Sequence, residues 1–546
     1  MNTRAPAIVI LGAGSLPVAR KIAAALPGSA VHGLKSRVTG AEIAFDEFGV
    51  HLRDLFASDT PIIVLCATGI VVRALAPLLQ DKRAEPPVVV VAEDGSAIVP
   101  LLGGLRGVND LARRIGTALG TAPAITTTGE VRFGTTLELA PAGYVLANPA
   151  AGKRFMSDLL AGAKVRIDGK APWLTETRLP IDPAGTLTIR VTPTAVTPAE
   201  GELVFHPRSV RVDVRSGATD RVMAALEAQG LSVKAVACIV ASEKDAADPA
   251  IHALAQTLDR PLRIVAAIDA NPVALSVADA PIDPATIGRA RGKLCVIGIG
   301  PGSLDWRTPE AARELAAADD LIGYETYLRM AGPFAPHQMV HATDNREEMA
   351  RARHAFELAA QGRSVAVVSS GDPGIFAMAA AVLEALHESA DPAWHGVELK
   401  IVPGISAAQA AAARSGAPLG HDFCVISLSD NLKPWDVIER RLTLAAQADL
   451  VLALYNPISR ARPTQLAQAL TAIRAHRGAQ TPVVLGRDIG RPDESLRVIT
   501  LGTLDTADVD MRTVVIVGSS TTATFDGGRW VYTPRWYGDK KPLSEV

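Results

Sequence analysis

Ser369-Ser370-Gly371-Asp372-Pro373-Gly374-Ile375-Phe376 lies between two runs of different character. Ahead of it, Val365-Ala366-Val367-Val368 is apolar, short and rich in β-branched residues, which predicts a buried strand. Behind it, Ala377 to Leu386 is alanine-rich and helical in its spacing. Gly371 and Gly374 permit backbone angles and close ligand approach that a Cβ would block. Asp372 is expected near the helix start, with Pro373 in the first turn, where a missing N–H costs little. A strand, a Gly-Asp-Pro-Gly turn and a helix set backbone groups at the carboxyl edge of a sheet, where open α/β folds hold small ligands. A plain strand-to-helix connection would carry the same residues, so the rest of the C-terminal half has to decide.

Upstream, Leu294 to Ser303 runs from an apolar strand into Gly298-Ile299-Gly300-Pro301-Gly302-Ser303. A dinucleotide fingerprint needs a third glycine where Ser303 stands, and Pro301 removes a backbone donor that a pyrophosphate would use. A nicotinamide site is therefore disfavoured. Gly323-Tyr324-Glu325-Thr326-Tyr327-Leu328 and Thr343-Asp344-Asn345-Arg346-Glu347-Glu348 follow. Downstream come Val402-Pro403-Gly404-Ile405-Ser406-Ala407 and Leu428-Ser429-Asp430-Asn431-Leu432-Lys433-Pro434-Trp435. Leu454-Tyr455-Asn456-Pro457 and Leu485-Gly486-Arg487-Asp488-Ile489-Gly490-Arg491 complete the set. Each alone is compatible with an ordinary turn. Together, most of them following strands, they add backbone amides and carbonyls to one carboxyl-edge cleft.

In this order, these stretches resemble the tetrapyrrole methylase family, which methylates corrin precursors with S-adenosylmethionine. The Thr343–Glu348 and Leu428–Trp435 stretches are similar in detail to its ring-contracting members, which methylate precorrin-3B at C17. The resemblance covers residues 292–540. It implies two α/β subdomains of the class III methyltransferase type, a cofactor folded into the cleft between them, and a homodimer. Carried over by position, it assigns the cofactor to Pro301, Ser370, Gly371, Asp372, Ile375, Ser406, Ala407, Tyr455, Asn456, Arg487 and Asp488. A sulfonium methyl donor needs neither metal nor enzyme nucleophile; the site has to orient it and exclude water. A tetrapyrrole brings many carboxylates, so cations should converge on the mouth. Candidates are Arg346, Lys433, Arg440, Arg441, Arg460, Arg462 and Arg487, with Asp430, Asn431 and Lys433 expected on the substrate. Ring contraction moves protons, and Glu325 is the expected acid or base, assisted by Arg346 or the Asp430-Asn431 pair. A surface role for Glu325 is the competing reading. Methylation at another ring carbon is the alternative within the family, and a non-catalytic tetrapyrrole-binding or carrier module formed by the N-terminal half is the alternative outside it.

The N-terminal half reads as strand (8–14), helix (Pro17 to Ala25), strand (Ile62 to Ala67), strand (Val88 to Ala92) and helix (Val108 to Leu119), a small parallel α/β domain over 1–125. Short strands with Pro and Gly over 126–205 predict a β-rich region, and 206–270 returns to strand–helix alternation. Prolines crowd 271–291, which reads as a linker. Residues 64–82, Asp94-Gly95, Leu101 to Ala112 and Ile125 to Thr128 resemble the cobalt-precorrin-5A hydrolase family, which opens a lactone on a tetrapyrrole. That family usually carries Gly-His-x-Gly-x-Asn where this chain has Gly104-Leu105-Arg106-Gly107-Val108-Asn109. Leu105 cannot shuttle a proton. A Gly-x-Gly-Cys turn is likewise replaced by Val212-Asp213-Val214-Arg215. The expectation is a retained fold with little hydrolase turnover.

At 546 residues, 48% hydrophobic and 21% charged, the chain is long enough for several globular cores. A formal charge of −2 gives no bulk attraction to nucleic acid or membrane. Cys66, Cys238, Cys295 and Cys424 are far apart in apolar runs, which suits buried thiols better than a zinc site or disulfides. The first apolar run is cut by Gly12-Ala13-Gly14 and reads as a strand, not a signal peptide, and no run reaches the ~20 residues of a span. A cytoplasmic location is expected.

Overall fold

The computed structural model describes residues 5–536 except Arg83, Ala270, Pro336, Asn345, Arg346 and Arg460. The chain divides into two compact units, Met1–Val240 with Ala250–Leu262 and Ile268–Ile287, and Gly288–Val546 with Ala241–Pro249 and Arg263–Ala267.

In the first unit, a six-stranded sheet runs in the order Ile43–Phe45, Ala30–Leu34, Ala7–Ile10, Ile62–Leu65, Val88–Val91, Ile98–Leu102. Its first five strands are parallel and the last is antiparallel. Helices cover both faces, which is why runs such as Val88–Val91 are buried at every position rather than at alternate ones. On one face Ile8, Ile10 and Ile63 meet Ile22, Leu111 and Ile115; on the other Val9, Val64 and Val90 meet Leu52, Phe56 and Leu75. The region 126–205 holds a four-stranded sheet, as its β-branched runs predict, but also the helices Thr128–Phe133 and Pro149–Leu160. The residues expected as a linker need correcting. Val273–Val277 is a strand, antiparallel to Val210–Val214, which itself pairs in parallel with Val236–Ser242. It is an edge strand, and its prolines, Pro272 and Pro281, fall outside it, so they remove no ladder donor.

The His32 ring in this unit lies 2.9 Å from His51, Nδ1 to Nε2, and the Phe45 ring stacks on His51. Burial, then the charge of His51, lowers the His32 pKa to about 4. The native state therefore resists a proton that the unfolded chain accepts near pH 6.5. The stability this provides is complete above that value and is lost as pH falls toward 4. We expect about 3 kcal/mol to disappear across that window in thermal melts, and most of the slope to vanish in His32→Gln. An unchanged slope in that variant would clear His32 of the effect.

The second unit carries two five-stranded sheets and a small three-stranded one. The first sheet is wholly parallel, in the order Met339–Thr343, Asp320–Tyr324, Ser364–Ser369, Lys293–Gly298, Glu398–Val402. The second runs Phe423–Ser427, Val451–Tyr455, Thr513–Val517, Pro482–Arg487, Ser495–Thr500, parallel in its first pair and antiparallel thereafter. Cys66, Cys238 and Cys295 are buried and Cys424 is half-buried. Among the described residues no helix is long and apolar enough to cross a membrane.

Candidate active site

Three loops leave the carboxyl ends of the parallel strands Lys293–Gly298, Ser364–Ser369 and Glu398–Val402, and they are tied together by backbone. Gly300 and Gly371 exchange a pair of N–H···O bonds at 3.2 and 2.8 Å. Asp372 spans the second and third loops: one carboxylate oxygen accepts the Gly374 N–H at 2.8 Å, the other the Gly404 N–H at 3.0 Å. Asp372 does not stand at a helix start, as its sequence context suggests. The helix begins at Met378 with Ala377 as its cap. Pro373 disfavours helical angles at Asp372, and Phe376 takes a left-handed φ of 52°, so the chain turns until Met378. The consequence is testable. Asp372→Ala frees two backbone donors and is expected to weaken cofactor binding by about tenfold or more, read by calorimetry.

Ser406 caps the helix Ala407–Ser415 in a reciprocal box with Gln409. The Ala408 N–H donates to the Tyr455 hydroxyl at 2.8 Å, and burial pushes the Tyr455 pKa up, so it remains a phenol at neutral pH. Asn456, at φ 51°, donates to the Ser427 hydroxyl at 3.0 Å and offers its carbonyl to Arg462 at 3.1 Å. Asp488, at φ 50° and only 6% exposed, is surrounded by guanidinium groups. Arg491 is 3.2 Å away, Arg512 3.0 Å and Arg487 3.5 Å. The Arg512 contact is close in distance, yet Asp488 Oδ2 has no partner in hydrogen-bond alignment, so charge more than directed bonding holds it. Arg491 in turn donates to the Pro301 carbonyl at 3.0 Å. Phe376, Asn456 and Asp488 are thus three non-glycine residues held in a sparsely populated backbone region. Each costs of order 1–3 kcal/mol, and such strain gathers where a site demands it.

Gly371, Asp372, Phe376, Ser406, Tyr455, Asn456, Asp488 and Arg491 all line one cavity of about 460 Å³. Of the expected cofactor positions, Pro301, Ser370, Gly371, Asp372, Ile375, Ser406, Ala407, Tyr455, Asn456 and Asp488 line it. Arg487 does not. Its guanidinium turns to Asp510 at 2.8 Å as well as to Asp488. The residues expected on the substrate sit outside the wall: Asp430 accepts from Gln465 at 3.0 Å, Lys433 stands 5.7 Å from the Phe376 ring, and Asn431 is exposed. Arg462 is buried and Arg346 lies outside the described residues.

Glu325 is also displaced from its expected role. It opens the helix Glu325–Ala331, in which Leu328 and Ala331 are buried, while Glu325 pairs with Arg329 at 3.0 Å on the exposed face. Its neighbours Tyr324, Thr326 and Tyr327 line the cavity instead. The helical step sets position 325 about 100° from its neighbours, which a motif read as a string does not show. Sequence reasoning also passes over Glu348 and Arg351 on the same wall. Arg351 is 4% exposed and donates to the Thr343 hydroxyl at 2.8 Å and the Asp344 carbonyl at 2.7 Å. Nothing in its charged helical stretch marks it, since such stretches ordinarily face water. Tyr324, Tyr327 and Glu348 do lie in the quoted motifs.

The site can hold a small polar ligand through backbone amides and carbonyls, with an aromatic and apolar lining. Gly371, at φ 68°, has nothing closer than 3.8 Å to the position of a missing Cβ, which leaves room beside the turn. Among the described residues no group of three or more His, Cys, Asp or Glu could hold a metal ion.

A family model described as "Tetrapyrrole (Corrin/Porphyrin) Methylases" matches residues 293–505, and one described as "Cobalamin synthesis G N-terminal" matches residues 50–130. The chain is 54% identical over 250 residues to a precorrin-3B C(17)-methyltransferase from Sinorhizobium sp, covering 45% of this chain and 97% of that protein. It is 53% identical over 252 residues to the cobalamin biosynthesis protein CobIJ of Mycobacterium tuberculosis, covering 45% of this chain. That match spans 48% of the mycobacterial protein, about half its length. A crystal structure of the methyltransferase CobJ is 47% identical and covers 44% of this chain and all of that one, with a TM-score of 0.43.

Proposed function

Since the chain belongs to the tetrapyrrole (corrin/porphyrin) methylase family, we propose that residues 292–540 methylate precorrin-3B at C17 and contract its macrocycle. The observation that carries this reading is the cavity enclosed by loops from both five-stranded sheets, with the strained residues Phe376, Asn456 and Asp488 on its wall. S-adenosylmethionine supplies a methyl group already activated on a sulfonium. The chain's own part is to bind, orient and keep water out. The tied loops set Pro301, Ser370, Gly371 and Asp372 on the cavity wall. Ser406, Tyr455 and Asn456 line the cavity with them, and Arg491 joins Asp488 to the Pro301 carbonyl. Glu348, Tyr327 and Arg351 are the groups available on the wall to steady a proton or a carboxylate, in place of Glu325.

Similarity to a protein named as a probable cobalt-factor III C(17)-methyltransferase, 46% identical over 244 residues, favours a second substrate form, the cobalt-bearing ring. The same reading includes a homodimer and a cytoplasmic setting. For the N-terminal half we infer a hydrolase-like fold without appreciable lactone opening. Leu105 stands where the proton-carrying histidine is expected, and the adjacent Arg106 is engaged by Asp59 at 2.5 and 2.8 Å.

The test is made on the full chain. Calorimetry with S-adenosylmethionine, followed by turnover with precorrin-3B and mass analysis of the product, is expected to give binding and a gain of one methyl group. No binding with or without tetrapyrrole would leave the carrier reading. Opening of a lactone substrate at an ordinary rate would overturn the inference for the N-terminal half.

A further inference from the structure

The Phe376 ring lines the cavity and is nevertheless 50% exposed. A chain that needed only a turn at this point would use glycine, as it does at Gly371 with a φ of 68°. A phenylalanine at φ 52° is a rare choice, and the turn geometry gives no reason for the ring. Its surroundings do. Tyr455 supports one side, with ring centroids 5.6 Å apart and planes tilted by 60°. Lys433 Nζ stands 5.7 Å from the Phe376 centroid. Leu432, the residue before that lysine, is 91% exposed, and the charge of Arg441 acts on Lys433. An exposed leucine, a half-exposed phenyl ring and mutually repelling cations are together unfavourable in water alone. A ligand with a broad apolar face and carboxylates at its rim satisfies all of them.

We propose that Phe376, Leu432 and Lys433 form a platform at the cavity mouth for the face of the tetrapyrrole. Lys433 meets a peripheral carboxylate, and Phe376 acts as a positioning residue that decides which ring carbon faces the interior. This rests on the methylase reading and deepens it. Phe376 stands on the turn that carries Gly371 and packs against Tyr455, and its half-exposed ring is the part left open to the macrocycle.

The test uses the full chain with Phe376→Gly and Phe376→Tyr. Glycine accepts the left-handed backbone, so loss of function in that variant is loss of the ring and not of the fold. Two readouts run in parallel: fluorescence titration with uroporphyrin III, an octacarboxylate tetrapyrrole, and KM for precorrin-3B. In Phe376→Gly both constants are expected to rise at least tenfold, with S-adenosylmethionine affinity falling several-fold less than tetrapyrrole affinity and the thermal midpoint unchanged or higher. In Phe376→Tyr most of the tetrapyrrole affinity returns. Retention of tetrapyrrole affinity within twofold in Phe376→Gly would overturn the platform, as would a parallel loss of S-adenosylmethionine affinity. Phe376-dependent uroporphyrin binding in a wild-type protein that never binds S-adenosylmethionine would keep the platform and remove the methylase reading.

Discussion

Gly404→Ala is expected to remove S-adenosylmethionine binding, by at least about a hundredfold or roughly 2.7 kcal/mol. A Cβ at Gly404 would come within 2.2 Å of the Gly371 carbonyl oxygen and 2.8 Å of the Gly298 carbonyl oxygen. Both are backbone atoms, so no side chain can rotate aside; the loops themselves must part. Overpacking a close contact costs about 1–3 kcal/mol even where side chains can adapt, and here the upper end applies. The displaced atoms belong to the turn that carries Gly371 and to the amide held by Asp372, so the damage falls on the ligand cradle. Gly478→Ala is the control, because a Cβ there meets nothing within 4 Å. Calorimetry on both variants, with circular dichroism to establish folding, decides the point. A folded Gly404→Ala that binds within threefold of wild type would mean these loops do not hold the cofactor.

Asp488→Asn should bring the largest loss of stability available in the site without a change of shape. Asparagine matches aspartate in size and tolerates left-handed backbone, so the substitution isolates the charge. Arg487, Arg491 and Arg512 then lose the carboxylate between them. Removing one partner of a fully buried pair costs 3–5 kcal/mol. The arginine side chains here are 31%, 27% and 51% exposed, so water screens part of the repulsion and about 2 kcal/mol is expected. That corresponds to a fall of about 4–8 °C in the transition of this unit. The fall should shrink with added salt, because the surviving interaction is repulsion among partly exposed cations. Cofactor affinity should also drop about tenfold, since Arg491 links Asp488 to the Pro301 carbonyl. Arg487→Ala, on an exposed side chain, should change stability by under about 0.5 kcal/mol. Equal effects from the two variants would show that Asp488 is not the centre of the cluster.

Much of this molecule is written in short-range pattern. The all-valine run Val88–Val91 could only be a strand buried on both faces, and the helix Val108–Leu119 has the bounds its periodicity gives. The glycines at 298 and 404 announce a place where backbones approach too closely for a Cβ. What the string of residues could not show was direction. Glu325 sits inside a motif and yet faces water, because a helix turns about 100° per residue and its buried side belongs to Leu328 and Ala331. Asp372 has the composition of a helix cap and instead bridges two loops 32 positions apart in sequence, a contact made only when parallel strands bring their ends together. Val273–Val277 has the prolines of a linker around it and becomes a strand, because Val210–Val214 offers it an open edge. Arg351 reads as one more charge on a solvated helix until the fold closes over it. Local propensity and covalent geometry act between near neighbours, so the sequence by itself determined the strands, the tight turns and the family. Which side chains meet across the cavity depends on loops drawn from distant parts of the chain, and only the tertiary structure decided that.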